Sequence, residues 1–292
     1  MSAPRQSTGV PGLDEVLGGG LIPGTLTVVA GATGIGKTQF GVHYTQAGLQ
    51  PEKRRGVIFD VSARGDSQGH GEYAKRMFDW DLDVADSQQV ELDDFFAEVR
   101  EHGDYLHVFD YRGRRVTRRD LDWDEWNQWQ AQLNQKLRGA IAFLYGNFVK
   151  GARRVVVDGF EPTETPNDSI QLNLFEYIYH QVLRKDPEWV ARDLFREAYR
   201  RNADQAAANL YDPTQIGCMM LYTSHEMMLD DMIARPLDEG DALSNANTLI
   251  YMGKIRRGER VPRAIYIAKH RGSACSDEIV PFTIDETGLK IL

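Results

Sequence analysis

The sequence has little cysteine, no long apolar run and no excess of basic residues, and each shortage excludes something. Two cysteines, Cys218 and Cys275, cannot build a disulfide framework and point to a reducing compartment. No Cys or Cys/His grouping has zinc-ligand spacing, and His70, His102, His180 and His225 show no metal-like pattern, so they read as surface or packing residues. No stretch approaches the roughly 18 consecutive apolar residues of a membrane span. Residues 1–9 are polar, unlike a secretory signal, so a cytoplasmic chain is the expectation. Lys and Arg number 34 against 43 Asp and Glu, a net charge of −9. That balance weighs against a generally basic nucleic-acid-binding surface, although a local basic channel stays open.

What is present is ordinary globular composition, 42% hydrophobic and 26% charged. At 292 residues, length alone suggests two domains of about 150 residues each. No internal repeat and no Pro/Gly/Ser-rich linker separates them, so one domain over residues 1–292 fits better. Residues 25–30 (TLTVVA), 56–61 (GVIFDV), 105–109 (YLHVF), 154–157 (RVVV) and 218–223 (CMMLYT) read as strands. Most are apolar throughout, the pattern of strands buried on both faces of a parallel sheet. Alternation with helical stretches makes the class α/β. Residues 248–252, 264–268, 282–284 and 289–291 follow more closely, with turns at 256–259 and 285–288, and read as an antiparallel extension. Two helical insertions are expected, at about 112–150 and 186–212.

The strongest motif is Gly31-Ala32-Thr33-Gly34-Ile35-Gly36-Lys37-Thr38, which fits G-x-x-x-x-G-K-[ST] without mismatch. An apolar strand precedes it and a helix over 39–48 can follow. Glycines let the backbone aim its N–H groups at phosphate oxygens, and the helix N-terminus adds positive potential. Lys37 would reach the β- and γ-phosphates and the Thr38 hydroxyl would bind Mg²⁺. A P-loop needs a second carboxylate for the magnesium shell. Asp158 ends the run Arg154-Val155-Val156-Val157 and supplies one. ATP and Mg²⁺ are therefore the expected ligands.

Residues 7–24 (STGVPGLDEVLGGGLIPG) lead directly into the first strand, and Lys269-His270-Arg271-Gly272-Ser273 follows a late one. Together with the P-loop and residues 282–289 (FTIDETGL), this resembles the KaiC-like branch of the RecA/RadA superfamily over most of the chain. The resemblance implies a RecA-like core assembling into a homo-oligomeric, usually hexameric ring with ATP between neighbours. It also implies that Lys269 and Arg271 reach the γ-phosphate bound by the adjacent subunit, as a trans-acting pair. Arg suits that task because its charge and shape are fixed. Thr223 or Ser224, at a strand end, is implied as a γ-phosphate sensor.

The chain also departs from that family. Adjacent glutamates usually follow the second strand, one of them activating the attacking water. Here Ser62 and Ala63 stand there, and neither accepts a proton at neutral pH. Asp60, Asp66, Glu72 or Glu161 are the candidate substitutes. ATP binding with slow hydrolysis is the expectation. Autokinase activity, for which Ser244 is the nearest target, is not expected without the acidic pair.

Trp123, Trp126 and Trp129 form a helical stripe that reads as core packing or an interface. Arg112, Arg114, Arg115, Arg118 and Arg119 could line a ring channel and meet nucleic acid, pair with the acidic stretch 79–94, or stay solvated. The reading is a nucleotide-dependent switch or scaffold in signalling, whose ring state a partner protein reads. Two rivals remain: a RadA-type recombination or repair ATPase that meets nucleic acid, and a P-loop kinase acting on a small molecule.

Overall fold

The apolar runs all become strands, and the strands join one continuous sheet. The computed structural model describes residues 4–62, 69–86, 92–98, 100–109, 122–161, 169–236 and 243–292, with the backbone alone at 126, 128–133, 135 and 170. Five strands come first: β1 (Leu26–Gly31), β2 (Val57–Asp60), β3 (Tyr105–His107), β4 (Arg154–Phe160) and β5 (Gly217–Thr223). Four follow: β6 (Thr248–Lys254), β7 (Arg263–His270), β8 (Val280–Asp285) and β9 (Gly288–Ile291). The spatial order is β3-β2-β4-β5-β1-β6-β7-β8-β9. From β3 to β6 the pairing is parallel, and from β6 to β9 it is antiparallel.

The α-helices among the described residues are α1 (Leu13–Val16), α2 (Lys37–Gln46), α3 (His70–Phe78), α4 (Trp123–Val149), α5 (Ile170–Ile178), α6 (Pro187–Phe195), α7 (Tyr199–Ala208) and α8 (Leu229–Ala234). Strand alternation splits the core in two. Val29, Ile58 and Val156 pack with Phe40 and Val42 of α2 and Ala74 of α3 on one face. Val28, Phe59 and Val155 pack with Phe143 and Leu144 of α4 and Leu194 of α6 on the other. Helices on both faces explain why β1, β2 and β4 are buried along their whole length.

The α4 helix starts on a capping box. The Asp122 carboxylate accepts from the Glu125 N–H at 2.8 Å, and the Glu125 carboxylate accepts from the Asp122 N–H at 3.1 Å. It connects β3 to β4, and its second half carries buried residues from Ala140 to Phe148. Trp123 at its start is 72% exposed, so it is not core. The side chains of Trp126 and Trp129, and the arginines 112–119, lie outside the described residues. No described helix is long and apolar enough to cross a membrane.

One buried cation ties the face beneath the P-loop together. Arg154, 0% exposed at the start of β4, donates to the Glu52 carboxylate at 2.9 Å and to the carbonyls of Ser7 (2.6 Å) and Tyr44 (3.1 Å). Its guanidinium also lies 4.9 Å from the Tyr44 ring. The N-terminal segment, the end of α2 and the strand that carries Asp158 are thereby held to one group.

Candidate active site

β1 delivers the glycine-rich loop, and α2 begins where the loop ends. Gly34 and Gly36 have φ of 76° and 117°, in the left-handed region that favours glycine. A Cβ on Gly36 would also stand 2.6 Å from Ile284 Cδ1. These two glycines let the loop turn tightly enough to aim the first-turn N–H groups of α2, which face no preceding helical carbonyl, into a cavity of about 490 Å³. Thr33, Lys37, Thr38, Asp158, Glu161 and Thr223 line the same cavity.

Lys37 is 7% exposed, and its ammonium donates to the carbonyls of Gly31 (2.9 Å) and Ala32 (3.1 Å). Burial pulls it down to about 8, against the opposing charge of Asp158. The Thr38 hydroxyl donates to Asp158 Oδ2 at 3.0 Å, and the Gly159 N–H donates to Asp158 Oδ1 at 2.7 Å. An irregularity in the β4–β5 register between Val157 and Phe160 falls on Asp158, where such features re-aim a side chain. Burial alone would raise the Asp158 carboxyl. The neighbouring His70, the Gly159 amide and Lys37 outweigh it and hold the group below its ordinary value.

The structure thus brings Gly31, Ala32, Thr33, Gly34, Ile35, Gly36, Lys37, Thr38 and Asp158 to one end of the sheet. Lys269 and Arg271 are elsewhere. β7 runs antiparallel, so its first residue, Arg263, lines the cavity while its far end does not. Lys269 pairs with Leu249 and its ammonium donates to the Ser244 carbonyl at 2.8 Å. The Arg271 N–H donates to the Asn247 carbonyl, level with the start of β1. That is about 16 Å along the strand from Gly31.

Of the two strand-end candidates, Thr223 faces the cavity, whereas the Ser224 hydroxyl donates to the Glu226 carboxylate. At the glutamate positions Ser62 is buried, and Ala63 lies outside the described residues, as does Asp66. Asp60 is 0% exposed and accepts from the Tyr105 hydroxyl (2.6 Å) and the Ser62 N–H (2.8 Å). Glu72 is exposed on α3. Glu161 is the one candidate carboxylate among the described residues, besides Asp158, that reaches the cavity.

Three residues escape sequence reasoning. His70, read as a surface or packing residue, is 1% exposed with Nε2 3.0 Å from Asp158 Oδ2. Only its place ten residues after the Asp60 strand hinted at this. Gln39 Oε1 and Arg263 Nε are buried without hydrogen-bond partners among the described residues, and both residues line the cavity. Orphaned polar groups beside a lysine and a helix N-terminus fit a polyanionic ligand. A hydroxyl hydrogen-bonded to an ionised carboxylate fits a hard divalent cation. The residues present therefore suit a magnesium nucleotide.

Comparison with known proteins agrees with this geometry. A family model described as an ATPase, KaiC, matches residues 6–170. The chain is 32% identical over 104 residues to circadian clock protein KaiC2 of Synechocystis, covering 34% of this chain and 17% of that protein. It is 44% identical over 76 residues to a UPF0273 protein of Methanopyrus kandleri, covering 24% of this chain and 30% of that one. Both matches thus span less than a third of the relative's length. The crystal structure of a KaiC-like protein from Pyrococcus horikoshii superposes with a TM-score of 0.51 at 18% identity, covering 99% of this chain and 98% of that one, a likeness of fold. With the family match running from the N-terminal segment through the P-loop and Asp158, this chain belongs to the KaiC family of ATPases.

Proposed function

We propose that the chain is an ATP-binding switch: one RecA-like domain that forms a ring, hydrolyses ATP slowly and presents its nucleotide state to a partner protein in signalling. The observation that carries this reading is the position of two sets of charged groups at opposite ends of the sheet. Lys37, Thr38 and Asp158 line a polar cavity at one end. Lys269 and Arg271 stand at the other, where they reach no nucleotide bound by their own P-loop. A head-to-tail ring supports a use for both, because it sets one subunit's cavity against the next subunit's opposite end.

Thr38 and Asp158 would hold the magnesium, which when bound neutralises charge on the β- and γ-phosphates. Lys37 binds the phosphates and the loop N–H groups orient them. Hydrolysis is proposed to be slow because Ser62 stands at one glutamate position and Asp60 is engaged by Tyr105 and Ser62. Among the described candidates Glu161 is the one that lines the cavity, where it would orient a water, and Glu161→Gln is expected to remove the residual turnover.

The test measures oligomeric mass with ADP and with a non-hydrolysable ATP analogue, and ATP turnover on the same samples. A nucleotide-dependent ring with slow turnover is expected. A monomer in every state would overturn the ring, turnover at a motor's rate would overturn the switch, and stimulation by single-stranded DNA would favour the recombination ATPase.

A further inference from the structure

His70 has a place that the nucleotide-site motifs do not account for. Asp60 and Asp158 are register partners on the adjacent parallel strands β2 and β4. Residues paired this way project from the same face about 4.8 Å apart. Asp60 is 0% and Asp158 5% exposed, so two carboxylates are buried side by side. Like charges this close and this poorly solvated repel unless something stands between them. The His70 imidazole does. Its Nε2 lies 3.0 Å from Asp158 Oδ2 and its Nδ1 lies 4.0 Å from Asp60 Oδ2.

The surroundings hold the ring there. His70 is the first residue of α3, which starts after Gly69 in a left-handed conformation with φ of 71°. The Tyr105 ring lies 5.4 Å from the imidazole, and the Tyr105 hydroxyl donates to Asp60 Oδ2 at 2.6 Å. Gly69 and Tyr73 line the cavity on either side of it in the chain, whereas His70 itself lies beneath.

We propose that His70 is a positioning residue for the magnesium of the nucleotide, separating the Asp60 and Asp158 carboxylates so that Asp158 stays aimed at Thr38. This rests on the P-loop reading above and deepens it: His70 sets the affinity for the metal and leaves the metal-free affinity for the nucleotide unchanged. Outer-shell partners of this kind typically cost about 10- to 100-fold in metal affinity when removed.

The experiment uses the full chain and reads binding rather than turnover. ADP binding is followed by calorimetry for the wild type, His70→Ala, His70→Gln and Asp60→Asn/His70→Ala, first in EDTA and then across a magnesium series. For His70→Ala the EDTA affinity is expected to stay within about twofold while the magnesium midpoint rises by about tenfold. His70→Gln, which keeps an N–H donor, is expected to recover most of that loss. The double variant is expected to recover it as well, since only one carboxylate then remains.

An unchanged magnesium midpoint in folded His70→Ala overturns the proposal. So does an equal loss in EDTA, or a double variant no better than the single. Should His70→Ala fail to fold, a folded double variant with a normal magnesium midpoint supports carboxylate separation, and a double variant that also fails to fold overturns it. A wild type that binds no ADP, or binds it regardless of Lys37→Ala, sinks the P-loop reading itself and is seen before any His70 variant is compared.

Discussion

Thr38 and Asp158, 120 residues apart in the chain, meet through a hydrogen bond of 3.0 Å. One lies in the first turn of the helix after β1 and the other sits in β4, with β5 between the two strands. The contact therefore reports whether the sheet has assembled in its proper order. It also separates two kinds of nucleotide-site variant. Lys37→Ala removes the buried ammonium and is expected to weaken ADP binding about 100-fold with or without magnesium, about 3 kcal/mol. Thr38→Ala and Asp158→Asn should leave binding in EDTA within about threefold but remove most of the gain that magnesium gives. Calorimetry with and without EDTA checks both, and a magnesium response that survives Asp158→Asn would sink the metal assignment.

Much of this was legible in the sequence, for a physical reason. Strands buried on both faces must be apolar throughout, so Val155 to Val157 and Met219 to Leu221 declare themselves. The P-loop is local: glycine spacing, lysine and threonine lie within eight residues. Asp158 was found because an acid that ends a buried run is conspicuous. His70 was not, because its role depends on β2 and β4 being neighbours, and nothing within α3 records that pairing. Arg263 was missed for the same reason. The antiparallel return of β7 carries it to the P-loop end, and no local pattern marks the event. Trp123 could be read as packing or as an interface, since a helical aromatic stripe looks the same wherever the helix ends up, and its exposure removes the first of the two.

The separation of Arg271 from the P-loop of its own chain leads to a subunit-mixing prediction. Lys37→Ala and Arg271→Ala chains are each expected to be inactive alone. When mixed before ring formation, a heterologous interface pairs some intact P-loops with intact arginines, and about a quarter of the sites should be restored in an equal mixture. ATP turnover of the mixture against the two parents reads this directly. No recovery, with mixed rings shown by mass measurement, would mean that Arg271 takes no part in its neighbour's site.

Arg154 gives a stability prediction that is independent of nucleotide. Its guanidinium is fully buried and donates to Glu52 Oε1 and two backbone carbonyls at once. Arg154→Met keeps the volume but leaves Glu52 and both carbonyls without their donor. Breaking such a pair from one side typically costs about 3–5 kcal/mol. Burial already raises the Glu52 carboxyl despite Arg154, so the orphaned group should take up a proton and recover part of the loss. The Arg154→Met/Glu52→Gln pair is therefore expected to be less damaged than the sum of the single changes. Urea midpoints of the four proteins measure the difference.

His43 supplies the acid limit. It lies on α2 against β9, where its Nε2 accepts the Leu289 N–H at 3.0 Å and its ring meets Phe78 edge-on at 5.2 Å. Burial depresses it to about 4, with the Gly9 backbone and the Asp285 charge pulling weakly the other way. A depressed histidine is neutral in the fold and takes up its proton more readily in the unfolded chain. Its contribution is complete above about pH 6.5 and is lost as the pH falls toward 4, where the unfolded state binds the extra proton. The shift corresponds to about 3 kcal/mol. His102, lowered to about 4 chiefly by burial and then by Arg100, Lys150 and Arg54, adds a loss of the same sign in the same window. His43→Gln should therefore cost about 1 kcal/mol at neutral pH, where a buried hydrogen bond is weakened, yet flatten roughly half of the decline in stability between pH 6.5 and 4. Urea unfolding at half-unit pH steps distinguishes this from a general acid weakness, which would leave the slope of the variant equal to that of the wild type.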